Sequence, residues 1–326
     1  MGQEFFDLPA VDQQKSLTAF ATELLKDYGI HGANVSCINF EFNATFSVET
    51  DSGTRYALRI NINSTRTVDN MKAEVEWVRH LNRTSALHTP TPIATLDDQY
   101  IVSAIHSESG QTFYGVMYSW LDGEELGDEP TQNQLHEVGR AIATLHQEST
   151  NFVLSSETSL PIFNDFFWGT EDHLFSAKSV LSDKDRTLIE QAYDEIMKYT
   201  NELYQNSPVH IIHADMHGWN LMWHEGQLSV FDFDDCGYGV EAQDLAVTLY
   251  YLDTPEQDEA ILNGYKSVRP LPNFSKNAMK ALLLQRRLLL LNYLFETKNQ
   301  EHQEMLPAYL EKSLERVSTF LTDVRG

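Results

Sequence analysis

The 326-residue chain sets 23 Lys and Arg against 48 Asp and Glu, a net charge of −25, which excludes a broad interface with nucleic-acid phosphates on electrostatic grounds. Its two cysteines, Cys37 and Cys236, are far apart and lack metal-ligand spacing, so neither a disulfide scaffold nor a structural zinc site is expected and the reducing cytoplasm is the default. The length suits one large or two ordinary domains, and Met1 to Asp7 shows no basic start followed by an apolar core, so no secretory leader is expected.

Along the chain, Val11 to Tyr28 has helical spacing, with Leu17, Phe20, Ala21, Leu24 and Leu25 on one face. Val35 to Phe40, Thr45 to Thr50 and Arg55 to Ile60 then alternate as strands, the last two joined by an Asp51-Ser52-Gly53 turn. Met71 to Leu81 returns to helical spacing, with Val75, Val78 and Leu81 facing inward. Beyond the Thr89-Pro90-Thr91-Pro92 break, Gly115 to Gly123 runs from an apolar strand into a turn, and Leu135 to His146 is helical again. Phe163 to Trp168 is an aromatic patch that reads as core in preference to a ligand pocket. From about residue 246 onward four helices are expected: Leu245 to Leu252, Glu256 to Tyr265, Asn277 to Phe295 and Gln303 to Thr322. Within them the apolar run Leu282 to Leu291 is broken by Gln285, Arg286 and Arg287. It is too short and too charged to span a bilayer and reads as a buried helix, so no membrane partner is expected.

The chemistry concentrates between residues 209 and 235. Val209 to Ile212 and Leu221 to Trp223 are short apolar runs, and His224-Glu225-Gly226-Gln227 is a turn before Leu228 to Phe231. Asp215 stands on the loop, and such a hairpin would bring Asn220 and Asp232 towards one another across its open end. A lone Asp or Asn in a loop is ordinarily a turn former or cap. Together these three residues match what phosphoryl transfer from ATP requires: a carboxylate to orient or deprotonate a hydroxyl, and oxygen ligands that hold Mg²⁺.

The residues His213-x-Asp215-x-His217-x-x-Asn220, Phe231-Asp232-Phe233-Asp234-Asp235 and Gln243-Asp244-Leu245-Ala246 resemble the aminoglycoside phosphotransferase and choline kinase family. That group includes type II homoserine kinases, methylthioribose kinases and bacterial stress-response kinases, and is related to the eukaryotic protein kinases. The resemblance implies an α+β, protein-kinase-like two-lobed fold: residues 1–118 as a nucleotide-binding lobe with an antiparallel sheet and helices, and residues 119–326 as a mainly helical catalytic and acceptor-binding lobe. It implies Asp215 as the catalytic base, Asn220 and Asp232 as Mg²⁺ ligands, and Asp244 as a helix-opening residue that ties down the catalytic loop. His217 either contacts phosphate or pins that loop, and His146 is a packing and capping residue.

In the family's nucleotide site a Lys on the third strand pairs with a helix Glu. Here Arg59 stands in its place, with Glu74 as its expected partner and Glu76 on the solvated face. A guanidinium keeps the charge but forks onto its acceptors where an ammonium acts as a point. No G-x-G-x-x-G covers the phosphates; Asn43-Ala44-Thr45-Phe46 lies where the hairpin tip should be, giving Asn43 a nucleotide-binding role. The strand ending in Ser119 resembles the hinge, whose backbone at Ser119 and Leu121 would meet adenine.

The function implied is transfer of the γ-phosphoryl group of ATP to a hydroxyl of a small molecule: an amino alcohol, amino acid, sugar or aminoglycoside. Glu124, Glu125, Asp128 and Glu129 would favour a cationic acceptor. Three other readings use the same residues. A protein Ser/Thr kinase of the stress-response type has little room for an activation segment in the eleven residues between Asp232 and Asp244. A nucleotide-binding pseudokinase fits the missing glycine loop but not the retention of Asp215, Asn220 and Asp232. A hydrolase with zinc or manganese on His213, Asp215, His217 and Asp232 leaves the N-terminal elements unexplained.

Overall fold

The computed structural model describes residues 5–177, 179–297 and 299–325; Met1 to Glu4 of the stretch read for a leader lie outside them. The chain divides into two compact units, one formed by Met1–Glu124, Phe152–Ser159 and Met222–Asp234, the other by Glu125–Asn151, Leu160–Leu221 and Asp235–Gly326.

The first unit opens with α1 (Ala10–Leu24), which tightens into a 3-10 turn over Leu25–Tyr28. Its buried residues include Leu17, Phe20, Ala21 and Leu24, the face that the spacing predicts. They pack on an antiparallel sheet of β1 (Asn34–Phe40), β2 (Asn43–Glu49), β3 (Arg55–Asn61), β4 (Ile101–Ile105) and β5 (Thr112–Ser119), in the order β1-β2-β3-β5-β4. Ala44, Phe46 and Val48 of β2 and Leu58 and Ile60 of β3 are fully covered. Strand β2 starts two residues before the expected Thr45, which shortens the β1–β2 tip to Glu41 and Phe42. Helix α2 (Val68–Thr84) begins in a capping box in which Thr67 accepts from the Asn70 amide and the Asn70 side chain accepts from that of Thr67. A three-stranded sheet orders β6 (Glu124–Glu125), β8 (Leu221–His224) and β9 (Gln227–Val230) as β6-β8-β9. The β8–β9 turn places Glu225 at φ 47 and Gly226 at φ 85, the left-handed pair that a two-residue hairpin needs.

The second unit is mainly helical: α3 (Gln132–Ser149), α4 (Asp183–Asn206), α5 (Glu241–Tyr250), α6 (Pro255–Lys266), α7 (Lys276–Glu296) and α8 (Gln300–Arg325). The one sheet of this unit among the described residues pairs β7 (Val209–Ile212) with β10 (Gly237–Val240), antiparallel. Helix α4 has no counterpart in the sequence reading. Its sequence is mostly polar, yet Ile189, Ala192, Ile196 and Leu203 fall on one buried stripe. Helix α7 carries Leu284, Leu288 and Leu291 into the same core as Phe166, Ile196, Val317 and Phe320. Covering each such leucine stabilises the fold by roughly 1.5–3 kcal/mol. Phe163 and Phe166 are buried, so the aromatic patch is core at those positions. Helices α3 and α6 approach backbone to backbone: a Cβ on Gly139 would lie 2.0 Å from the Ile261 carbonyl oxygen, and one on Gly264 would lie 1.9 Å from that of His136.

Candidate active site

In the second unit, the loop after β7 carries His213, Ala214 and Asp215, and its shape is set from α5. Asp244, in the first turn of α5 and fully buried, accepts from the His213 amide (Oδ2, 3.0 Å) and the Ala214 amide (Oδ1, 2.7 Å). His146 of α3 completes the clamp, with Nε2 3.0 Å from Asp244 Oδ2 and Nδ1 2.9 Å from the Tyr265 hydroxyl. Burial pushes the Asp244 carboxyl up, but His146, His213 and the Ala214 amide outweigh it and hold the group below the usual carboxylate range. The clamp sustains Ala214 at φ 66, a backbone region that costs a non-glycine residue on the order of 1–3 kcal/mol. Thr248 pins the loop two residues further on by donating to the Met216 carbonyl at 2.8 Å.

Asp215 therefore sits on a fixed loop. Its Oδ2 faces His217 Nε2 at 3.2 Å and accepts from Asn220 Nδ2 at 3.0 Å. His217 Nδ1 accepts from the Trp219 amide, so the Nε2 nitrogen is the one that carries the hydrogen toward Asp215. Its Oδ1 takes an ion pair from Arg286 Nη2, which also donates to the Tyr251 hydroxyl at 2.7 Å. Burial raises the Asp215 carboxyl, whereas Arg286, then His217 and His213, pull it down; the balance leaves it well below the usual carboxylate range. Close approach shapes the loop as well. A Cβ on Gly218 would stand 1.9 Å from the Gly127 carbonyl oxygen, so only glycine fits there. Beside this loop a small, partly open pocket is walled by Asp128, Pro130, His217, Trp219, Tyr251 and Leu252 among others, with Trp219 Nε1 donating to Asp128 at 3.1 Å.

A second cluster lies in the first unit. Arg59 of β3 is buried and paired with Glu74 of α2, and Tyr118 of β5 donates to the other Glu74 oxygen at 2.6 Å. Arg59 Nη1 lies 3.6 Å from Asp232 Oδ1, whose side chain keeps 38% exposure. Asp232 itself adopts φ 60, so the D-F-D segment is held in an unfavourable backbone conformation at the carboxylate. Asn43 Nδ2 donates to Asp234 at 2.5 Å. Burial raises Asp234, but Arg59, Asp232 and Asn43 bring it below the usual range. The Ser119 amide donates to the Thr91 carbonyl at 2.8 Å and the Ser119 hydroxyl accepts from the Thr91 amide, while Leu121 follows the end of β5 half-buried.

The structure thus joins Arg59 with Glu74, and Asp215 with Asn220 and His217. It turns Asn43 toward Asp234 and the Ser119 amide toward Thr91. Asn220 lies in the second unit and Asp232 in the first, immediately before β8 and two residues past β9. Among the described residues no three His, Cys, Asp or Glu side chains are placed to hold a metal ion. The sequence reading missed Arg286 and Tyr251. The signal for Arg286 was present: an arginine inside an apolar helical run must find a partner.

The model of the phosphotransferase enzyme family matches residues 41–278. The chain belongs to that family. The phosphotransferase is 28% identical over 275 residues to amicoumacin kinase of Bacillus subtilis (strain 168), covering 78% of this chain and 79% of that one. It is 24% identical over 270 residues to hydroxylysine kinase of Bos taurus, covering 74% and 70%. Among solved structures, a microcompartment-associated aminopropanol kinase superposes with a TM-score of 0.81 at 22% identity over 94% of this chain and 98% of that one, which establishes the kinase-like α+β fold. The phosphotransferase is a kinase that uses ATP and a divalent cation, with an alcohol group as acceptor. The Asn220 amide nitrogen is committed to the Asp215 carbonyl and carboxylate, and in the other unit the Asp232 carboxylate keeps partial exposure. Among the described residues no helix is long and apolar enough to cross a membrane.

Proposed function

We propose that this phosphotransferase moves the γ-phosphoryl group of ATP to the hydroxyl of a small, amine-bearing molecule, with Asp215 as the residue that orients the hydroxyl and accepts its proton. The observation that carries the reading is the clamp on the Asp215 loop: two amides fixed by buried Asp244 hold the carboxylate beside a cavity with an acidic rim residue, Asp128. Proximity of a fixed carboxylate to a bound hydroxyl removes much of the orientational barrier. Asn220 and Asp232 serve as Mg²⁺ ligands, and bound Mg²⁺ supplies charge neutralisation on the phosphates. Arg59, kept in place by Glu74 and Tyr118, positions the phosphates. Asn43 and the Ser119 to Leu121 backbone complete the nucleotide contacts. An amine-bearing acceptor is also supported by the names of the related amicoumacin, hydroxylysine and homoserine kinases.

The test is acceptor-dependent ATP turnover with Mg²⁺ across amino alcohols, hydroxy amino acids, sugars and aminoglycosides, with Asp215→Asn as control. Turnover that depends on one acceptor class and is lost in the variant is the expected result. A variant as active as wild type would remove Asp215 from its role.

A further inference from the structure

Arg286 occupies an unusual place for this chain. In a protein with 48 acidic and 23 basic residues, a guanidinium with only 13% side-chain exposure is set directly on Asp215. Taking both charges out of water is costly, and an ion pair alone seldom repays it. The pair is also incompletely satisfied. Both hydrogen bonds from Arg286 leave the same nitrogen, Nη2, toward Asp215 and Tyr251, while Nε is buried without a partner. The Nε and Nη2 hydrogens form one edge of the guanidinium, the edge that receives a carboxylate through two parallel bonds. Tyr251, whose ring centroid is 5.5 Å from the Arg286 Cζ, also lines the cavity beside Trp219 and Asp128.

We propose that Arg286 is the anion-recognition residue of the acceptor site, and that the acceptor is a short hydroxy acid, a hydroxy amino acid included, whose carboxylate takes the Nε–Nη2 edge of the guanidinium, where Asp215 now meets Nη2 alone. This rests on the phosphotransferase reading with Asp215 at the hydroxyl. The exchange gives Nε the acceptor it lacks and frees Asp215 Oδ1 to receive the substrate hydroxyl. Charge-assisted bonds of ordinary length from Arg286 to the carboxylate and from the hydroxyl to Asp215 put the two groups within roughly 5 Å of each other on one molecule, a span of a few carbons. Asp128, which lines the pocket together with Tyr251, suits the amine of the same molecule. A guanidinium at the catalytic carboxylate selects against an acceptor whose only charge is positive.

The experiment compares matched acceptors that differ by the carboxylate, L-homoserine against aminopropanol and L-serine against ethanolamine, by kcat/KM with Mg²⁺ and ATP in wild type, Arg286→Gln and Arg286→Lys. At least one hydroxy acid should exceed its carboxylate-free partner about tenfold to a hundredfold, the scale of a charged hydrogen-bonded contact. Arg286→Gln should erase that preference mainly by raising KM for the acid, with the KM for ATP unchanged, and Arg286→Lys should recover part of it. Thermal melts of both variants keep loss of folding apart from loss of recognition. If no hydroxy acid is preferred, or if Arg286→Gln lowers both members of a pair equally, Arg286 serves only Asp215 or the transferred phosphoryl group and the proposal is overturned. Turnover confined to carboxylate-free acceptors overturns this assignment and leaves the phosphotransferase reading standing. No turnover on any acceptor class would sink both.

Discussion

Two arginines, Arg59 buried and Arg286 half-buried, each hold a carboxylate in this enzyme, and they are built in opposite ways. Arg59 in the first unit is paired with Glu74, whose second oxygen is taken by Tyr118, so both carboxylate oxygens are satisfied by residues of the same unit. Arg286 in the second unit is paired with Asp215, the residue proposed to meet the substrate, and keeps one buried nitrogen unpartnered. A closed network rigidifies its members. An open one leaves a bond to be exchanged. The difference teaches that the first cluster is a fixed frame and the second a site whose contacts change when a ligand arrives.

The largest effect should come from Asp215→Asn, which keeps the shape of the side chain but removes its charge and basicity. A loss in kcat on the order of 10²–10⁴ is expected, with nucleotide binding by titration calorimetry unaltered. Loss of nucleotide binding in parallel would mean that the open cluster also carries the frame.

Asp244→Ala attacks the clamp beneath that cluster. It strands the amides of His213 and Ala214 and the His146 ring inside the second unit, at a cost of about 3–5 kcal/mol, the range for removing one partner of a buried charged network. Chemical denaturation measures it. The same residue sets an acid limit. Its pKa is depressed in the folded state, so its contribution is present above the unfolded carboxylate value near 4 and is lost as pH falls through the folded value. Melting temperature should drop below about pH 4 in wild type and drop less in Asp244→Asn.

The family and the α+β fold were legible in the sequence because phosphate chemistry forces its residues into a short window, Asp215 to Asp235, flanked by strands too apolar to be loops. Elements with one strong period, such as α1 and β2, were legible for the same reason: burial on one face leaves a mark at fixed spacing. Helix α4 escaped because its buried stripe of Ile189, Ala192, Ile196 and Leu203 is diluted by acidic and amide residues on the other faces. Arg286 escaped differently. Helical spacing showed that it interrupts an apolar run, but its partner Asp215 is 71 positions away, and no local pattern encodes a contact of that range.

Glu74→Gln sharpens the comparison on the closed side. The amide still offers one acceptor but no counter-charge, so Arg59 and Tyr118 compete for it, at roughly 1–3 kcal/mol of stability. Because Arg59 is proposed to position phosphates, KM for ATP should rise while the ranking of acceptors stays the same. A change in acceptor ranking would contradict the separation of the two clusters.

The smallest expected effects come from the two tyrosines that attend the arginines, and they separate the clusters most cleanly. Tyr118 donates to Glu74 and is 7% exposed; Tyr251 accepts from Arg286 and is 38% exposed. Each Tyr→Phe change removes one hydroxyl and nothing else. At Tyr118 it leaves a buried carboxylate oxygen without its donor, about 1–3 kcal/mol. At Tyr251 water reaches the vacated position, and the cost falls to about 0.5–1 kcal/mol. Tyr118→Phe should therefore lower the melting temperature and raise KM for ATP. Tyr251→Phe should leave the melt nearly unchanged and move only the acceptor KM, because the ring still flanks Arg286 while the guanidinium loses one of its two acceptors. If instead both changes shift the same kinetic constant, the open and closed networks are one site energetically, and the contrast between a fixed frame and an exchangeable contact does not hold.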